Sequence, residues 1–211
     1  MAKENERIIL GSGSLFLKLY DGKLPKVEEI CVEENRFAYI SGGCTLEYKP
    51  EFYEAVDDLG KVSKSAITKE DVLMKSGLMT FGGTALEKIC DTARVSYREK
   101  EPEQVSKRRR VVKIGGLQQQ GHKSYVLCFM HEDPVDGNIW VMIVGKNQAG
   151  FSLAFLKDKE TIVDAEFKAE PHDKEGTLIY YEEEIPDDAA AAASVAKTEA
   201  PVSTSQTGKS K

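Results

Sequence analysis

The chain has 211 residues, 41% of them hydrophobic and 30% charged, and its 35 acidic and 29 basic side chains leave a formal charge of −6. A globular chain of this size buries roughly 70% of its extended surface, so neither disulfides nor a structural metal are needed to hold it together. The balance excludes a histone-like or cationic membrane-coating protein, and no apolar run approaches the ~20 residues of a spanning helix.

Residues 1–12 begin Met1-Ala2-Lys3-Glu4-Asn5-Glu6-Arg7, with no apolar stretch of the signal-peptide kind. They are expected to form an N-terminal arm on a soluble protein made in a cytoplasm. Residues 13–185 are expected to form one mainly β domain. Ser14 to Tyr20 predicts a strand ending at an Asp21-Gly22 turn. Phe37–Ile40 and Thr45–Tyr48 predict strands on either side of Gly42-Gly43, a β-bulge or close backbone contact. The stretch 50–69 is long, polar and charged, with Asp57-Asp58-Leu59-Gly60 near its middle. It predicts an extended loop or hairpin arm reaching beyond the barrel.

One helix is expected over 84–95. Leu86, Ile89, Cys90 and Ala93 make a single apolar stripe, and Thr84 with Glu87 fits a capping box. Beyond it, Tyr125–Met130 and Ile139–Val144 predict a hairpin closed at Asp136-Gly137. Both runs are apolar at consecutive positions, so both faces must be covered, by the helix, another sheet or another subunit. Phe151–Phe155 and Leu178–Glu184 also read as strands. Val163, Ala165 and Phe167 alternate with Asp164, Glu166 and Lys168, the period of a strand with one wet face. From Pro186 the chain turns to alanine, serine and threonine, the composition of a flexible tail over 186–211. The whole predicts two packed antiparallel sheets, a sandwich or barrel, with one flanking helix.

Charge is unevenly placed. Residues 94–113 carry a net +5, residues 160–184 a net −7, and the tail is neutral. The cluster Lys107-Arg108-Arg109-Arg110 raises nucleic-acid binding, but it is short and has no interleaved aromatic platform. A solvated loop and strand start, or contact with an acidic neighbour, accounts for it better. Separate patches of opposite sign let copies of one chain meet head to tail.

No catalytic residue, cofactor site or metal site is expected. Cys31, Cys44, Cys90 and Cys128 lack close spacing and read as buried free thiols. His122, His131 and His172 show no i, i+4 pairing. His131-Glu132-Asp133 leads into a turn and reads as loop polarity. Gly11-Ser12-Gly13-Ser14 and Gly115-Gly116 lack the phosphate-loop pattern and read as turns.

Six stretches, in order, carry a resemblance: Ile9–Gly13, Gly42–Lys49, Asp58–Val62, Gly145–Phe155, Asp164–Ala169 and Glu175–Leu178. In them the chain resembles the major tail tube proteins of long-tailed bacteriophages of Gram-positive bacteria. The resemblance implies a non-enzymatic virion protein whose six-membered rings stack into a tube that conducts double-stranded DNA without binding it specifically. It implies assembly in the host cytoplasm, with tail terminator, tail-tip or baseplate and tape-measure proteins as partners besides the chain itself, and no membrane. Asp57, Asp58, Lys61 and Lys64 would then lie on a ring-stacking loop, and Lys107, Arg108, Arg109 and Arg110 at a contact between subunits. Asp164 and Glu166 would line the lumen, where carboxylates keep DNA sliding. A tube protein of a contractile tail, bacteriocin or secretion-type machine is the nearest alternative, and a small β-barrel nucleic-acid-binding protein the second.

Overall fold

The computed structural model describes residues 9, 11–57, 63–79, 82–98 and 108–185. Among them the chain is mainly β, with two antiparallel sheets and one main helix. In chain order come β1 (Ser14–Leu19), α1 (Val27–Ile30), β2 (Arg36–Ala38), β3 (Ile40–Val56), β4 (Ser63–Leu78) and α2 (Gly83–Ile89). They are followed by β5 (Arg94–Arg98), β6 (Arg109–Lys113), β7 (Tyr125–His131), β8 (Ile139–Asn147), β9 (Val163–Ala169) and β10 (Tyr180–Glu183).

The large sheet runs β2-β1-β7-β8-β9-β4-β3, with β10 also on β8, and β5 pairs with β6 in a separate ribbon. Strands β2 and β3 stand at opposite ends of this order, yet Tyr39 alone separates them in sequence. Consecutive Cα atoms are about 3.8 Å apart, so the sheet must curl until its ends meet. The enclosed face holds Leu15, Leu17, Phe37, Met74, Leu127, Ile143 and Phe167, closed over by Ala85 and Ile89 of α2. Phe37 of β2 meets Phe167 of β9 edge to face, ring centroids 6.3 Å apart.

Strand β8 is shared. Its first half, Ile139–Met142, pairs with β10 and its last residues, Gly145–Asn147, with β9, while β7 holds its other edge from Ile139 to Gly145. On the outer face of β1, β7 and β8, Phe16, Val126, Cys128, Met142 and Val144 form a second buried cluster under Val27 and Ile30 of α1. The consecutive apolar residues of β7 and β8 are thus covered from within the chain, partly by a four-residue helix that no sequence periodicity announces.

Several expectations change. The helix ends at Ile89 rather than 95, and its N-cap is Gly82, so Thr84 forms no capping box. It stops because the next residues serve other segments. Asp91 accepts the Gly121 and Lys123 amides, and the Thr92 hydroxyl accepts that of Gly115. Phe151–Phe155 is not a strand; Phe151 and Leu153 pack on the core from an irregular segment. His131 is buried at the end of β7, its Nδ1–H donating to the Ser12 carbonyl at 2.9 Å, and is not loop polarity. Asp133 caps the β7–β8 turn, accepting the amides of Val135 and Asp136 at 2.8 and 2.9 Å. The Gly42-Gly43 bulge is present, with both φ near +78° and the β3–β4 register shifting between Ser41 and Cys44. Among the described residues, no helix is long and apolar enough to cross a membrane.

Gly145 is where β9 presses closest to β8, since a Cβ there would lie 2.0 Å from the Lys168 carbonyl oxygen. Gly145→Ala should therefore cost about 2–3 kcal/mol in urea unfolding. Gly121→Ala, whose Cβ would meet nothing closer than 3.5 Å, should stay within about 0.5 kcal/mol.

Candidate functional site

The feature that most exceeds the needs of a folded core is the β3–β4 hairpin. Its base belongs to the barrel: Val72, Met74 and Leu78 are buried and alternate with half-buried residues. Beyond Pro50 and Glu70 the two strands continue as a paired arm to Val56↔Ser63, every described residue of it exposed. At about 3.4 Å per residue the arm projects on the order of 20 Å. The predicted loop over 50–69 is therefore largely a β-ribbon. Asp57 and Lys64 sit at its far end; Asp58 and Lys61 lie outside the described residues.

The arm has two unlike faces. Residues opposite one another share a face, so Leu46 with Met74 and Tyr48 with Val72 lead outward from the core to Phe52 with Ile67, and then Val56. Phe52 is 63% exposed and Ile67 50%. These side chains continue the interior face beyond the point where the chain covers it, with Glu70, Glu54 and Ser65 interspersed on the same face. Sequence reasoning marked only charged residues here. The period-2 spacing of Leu46, Tyr48 and Phe52 is its signal on β3. On β4 the extra residue Thr68, at the register shift beside Glu51 and Phe52, moves Ile67 out of phase and hides it.

The other face joins the outer surface of β3, β4, β9 and the end of β8, and it is a lattice of ion pairs. Lys75 lies 3.3 Å from Glu47 and 3.1 Å from Glu166; Lys168 lies 2.8 Å from Asp71; Lys69 bridges Glu51 and Asp71; Lys49 meets Glu47; Lys146 lies 3.0 Å from Glu170. Asp164 and Glu166 both lie on this face. Glu166 is paired with Lys75, whereas exposed Asp164 has no cationic partner among the described residues. The surface is thus mostly neutralised in pairs rather than lined with bare carboxylates.

The basic segment is the β5–β6 ribbon, packed beside α2. Arg94, Arg98, Arg108, Arg109, Arg110 and Lys113 come together with no acid in the described part of the ribbon; Lys107 lies outside the described residues. An aromatic does stand among them. Tyr97, half exposed on β5, has the Arg108 guanidinium 4.7 Å and that of Arg110 5.7 Å from its ring centroid. It comes from across the ribbon, a pairing that the sequence between 98 and 109 does not reveal.

Asn147 ties these parts together. Its amide donates to the Ile89 and Gly150 carbonyls at 2.9 Å each, and its oxygen accepts the Glu166 amide at 2.8 Å. The end of α2, the end of β8 and the charged strand β9 are so joined at one side chain. A cleft of about 350 Å³ beside it is walled by Glu87, Lys88, Asp91, Arg94, Lys123 and Lys146. Among the described residues, no three His, Cys, Asp or Glu side chains are grouped to hold a metal ion. No model of a known protein family matches the chain, and no curated protein matches it.

The ion-pair lattice sets one titration. Hydrogen bonds from Lys168 and Lys69 hold the Asp71 carboxyl down at about 2, against an ordinary 3.8. A depressed carboxyl contributes stability above its unfolded pKa and loses it as pH falls through the folded one. This contribution should accordingly be complete above pH ~4 and vanish towards pH 2. NMR titration should place the Asp71 midpoint near 2, and Lys168→Met should raise it towards 3.8.

Proposed function

We propose that the chain is the repeating subunit of a phage tail tube, a structural protein whose rings stack into a conduit for double-stranded DNA. The observation that carries this reading is the projecting hairpin. An arm that extends the core's apolar face beyond the core gains nothing in a monomer, because exposed Phe52, Ile67 and Val56 lose the burial free energy they would have against a neighbour. The reading gives it a neighbour, the next ring. The 17-residue strand β3 supports the same view: it ends the strand order, and no described strand occupies its outer edge. A long open edge is a template for pairing with another copy.

In this reading the charged face of β3, β4 and β9 lines the bore. Phosphate contacts with lysine would brake DNA. Lys49, Lys69, Lys75, Lys146 and Lys168 are each already paired with a carboxylate, which weakens their hold on a passing phosphate, and Asp164 adds repulsion. Exposed Lys64, near the end of the arm, is the described lysine of this face without an ion pair among the described residues. The basic β5–β6 ribbon, bearing Arg108, Arg109 and Arg110, is the contact for an acidic surface of the adjacent subunit. A ring of a contractile or secretion-type machine would use the same parts.

One observation favours a second reading, a small nucleic-acid-binding protein: Tyr97 set between guanidiniums, an aromatic platform inside a basic ribbon. Nanomolar, salt-sensitive DNA binding by the monomer, lost in Tyr97→Ala, would decide for it.

Negative-stain microscopy of the concentrated protein tests the leading reading, with hollow rings or tubes as the expected result. Phe52→Glu with Ile67→Glu should abolish tubes while shifting Tm by only about 2 °C, because both side chains are exposed in the monomer. If the double variant assembles as before, the arm is not the stacking contact.

A further inference from the structure

We propose that Cys31 and Cys128 are a redox-active pair, a site of reversible disulfide formation that fastens the α1 segment to the sheet. Cys31 ends α1 and Cys128 lies in mid-β7, 97 positions away, yet their Sγ atoms are 3.5 Å apart. A disulfide holds its sulfurs about 2.05 Å apart, so the pair must close by about 1.5 Å. The part free to move is Cys31. Helix α1 has only four residues and belongs to no strand ladder, whereas β7 is paired on both edges.

The two thiols are unequal in a way that gives each a step. Cys128 is 0% exposed, within the cluster of Phe16, Ile30, Val126, Met142 and Val144. Cys31 is half-buried and open to a small oxidant. The thiol–thiol hydrogen bond with Cys128, helped by Trp140, lowers the Cys31 pKa against burial and the nearby Glu28 and Glu132. The Cys128 pKa is raised by the same bond and by burial. Cys44 and Cys90 offer no such arrangement: burial raises both, Cys44 to about 12.

The oxidant is a small-molecule disulfide of the oxidised-glutathione class. The Cys31 thiolate attacks one of its sulfurs, forming a mixed disulfide and expelling one thiolate. Cys128 gives its proton to that thiolate, and its sulfur attacks Cys31 Sγ, expelling the second, which is protonated from water. Two protein thiols are oxidised and one small disulfide becomes two thiols. A chain made in a reducing compartment carries the dithiol and gains the bond in an oxidising one. The inference stands apart from the tube reading.

The test treats the full chain with oxidised glutathione, alkylates remaining thiols and maps them by mass spectrometry. The expected product has lost two hydrogens, links the Cys31 and Cys128 peptides and leaves Cys44 and Cys90 alkylated. Closing so long a loop should raise Tm by about 5–10 °C, reversed by dithiothreitol. Cys31→Ser should lose both the link and the shift, and Cys128→Ala should trap glutathione on Cys31. Wild-type protein that keeps glutathione on Cys31 with Cys128 still free, that oxidises first at Cys44 or Cys90, or that stays fully alkylated overturns the proposal whether or not the variants fold.

Discussion

The architecture depends on one covalent fact: a single residue, Tyr39, joins the two strands at opposite ends of the large sheet. An open eight-stranded sheet could not satisfy that link, so the sheet curls, and curling creates an inside. The enclosed face then has to be mainly apolar, which sets the alternation of β4 and β9 and places Phe37 against Phe167. Its polar residue Ser76 is satisfied by donating to the Gly43 carbonyl. The outside has no such uniform demand and divides in two. Where α1 lies over β1, β7 and β8 it is apolar; past Val144 it becomes the ion-pair lattice. The division falls on β8, at the residues where its partner changes from β10 to β9.

What the sequence made legible was whatever a local period or turn could encode. Strand β9 follows from alternation, β1, β7 and β8 from short apolar runs bounded by turns, and the Gly42-Gly43 bulge and the Asp136-Gly137 turn from glycine placed where φ is positive. The helix was found but overextended, because Cys90 and Ala93 keep a helical spacing while Asp91 and Thr92 are engaged by amides more than twenty residues away. Phe151 and Leu153 look like strand because they alternate and are apolar, yet their burial comes from packing without a ladder. Helix α1 was missed, as four residues are too few to show a period.

The candidate surfaces split along the same line. The wet face of β9 was readable from Asp164, Glu166 and Lys168 alone. Its neutralisation by lysines of β3, β4 and β8 was not, since those contacts come only with sheet order. Likewise the run 107–110 announces charge but not Tyr97, and the arm's apolar strip is broken in sequence by the bulge at Thr68. Continuous apolarity of β7 and β8 requires cover by the helix, another sheet or another subunit. With α1 in that place, the case for assembly rests on the arm and the open edge of β3.

The strand order also carries a schedule. The first half of the chain can complete two local pairs, β1 with β2 and β3 with β4, but these are the two ends of the sheet. Everything between them, β7, β8 and β9, comes from the second half. A nascent chain therefore holds both margins of its barrel ready, with Leu15, Leu17, Val72 and Met74 unburied, until the central strands emerge to fill the gap. Folding so dominated by distant pairings is slow, and the last event is the insertion of a middle rather than the addition of an edge.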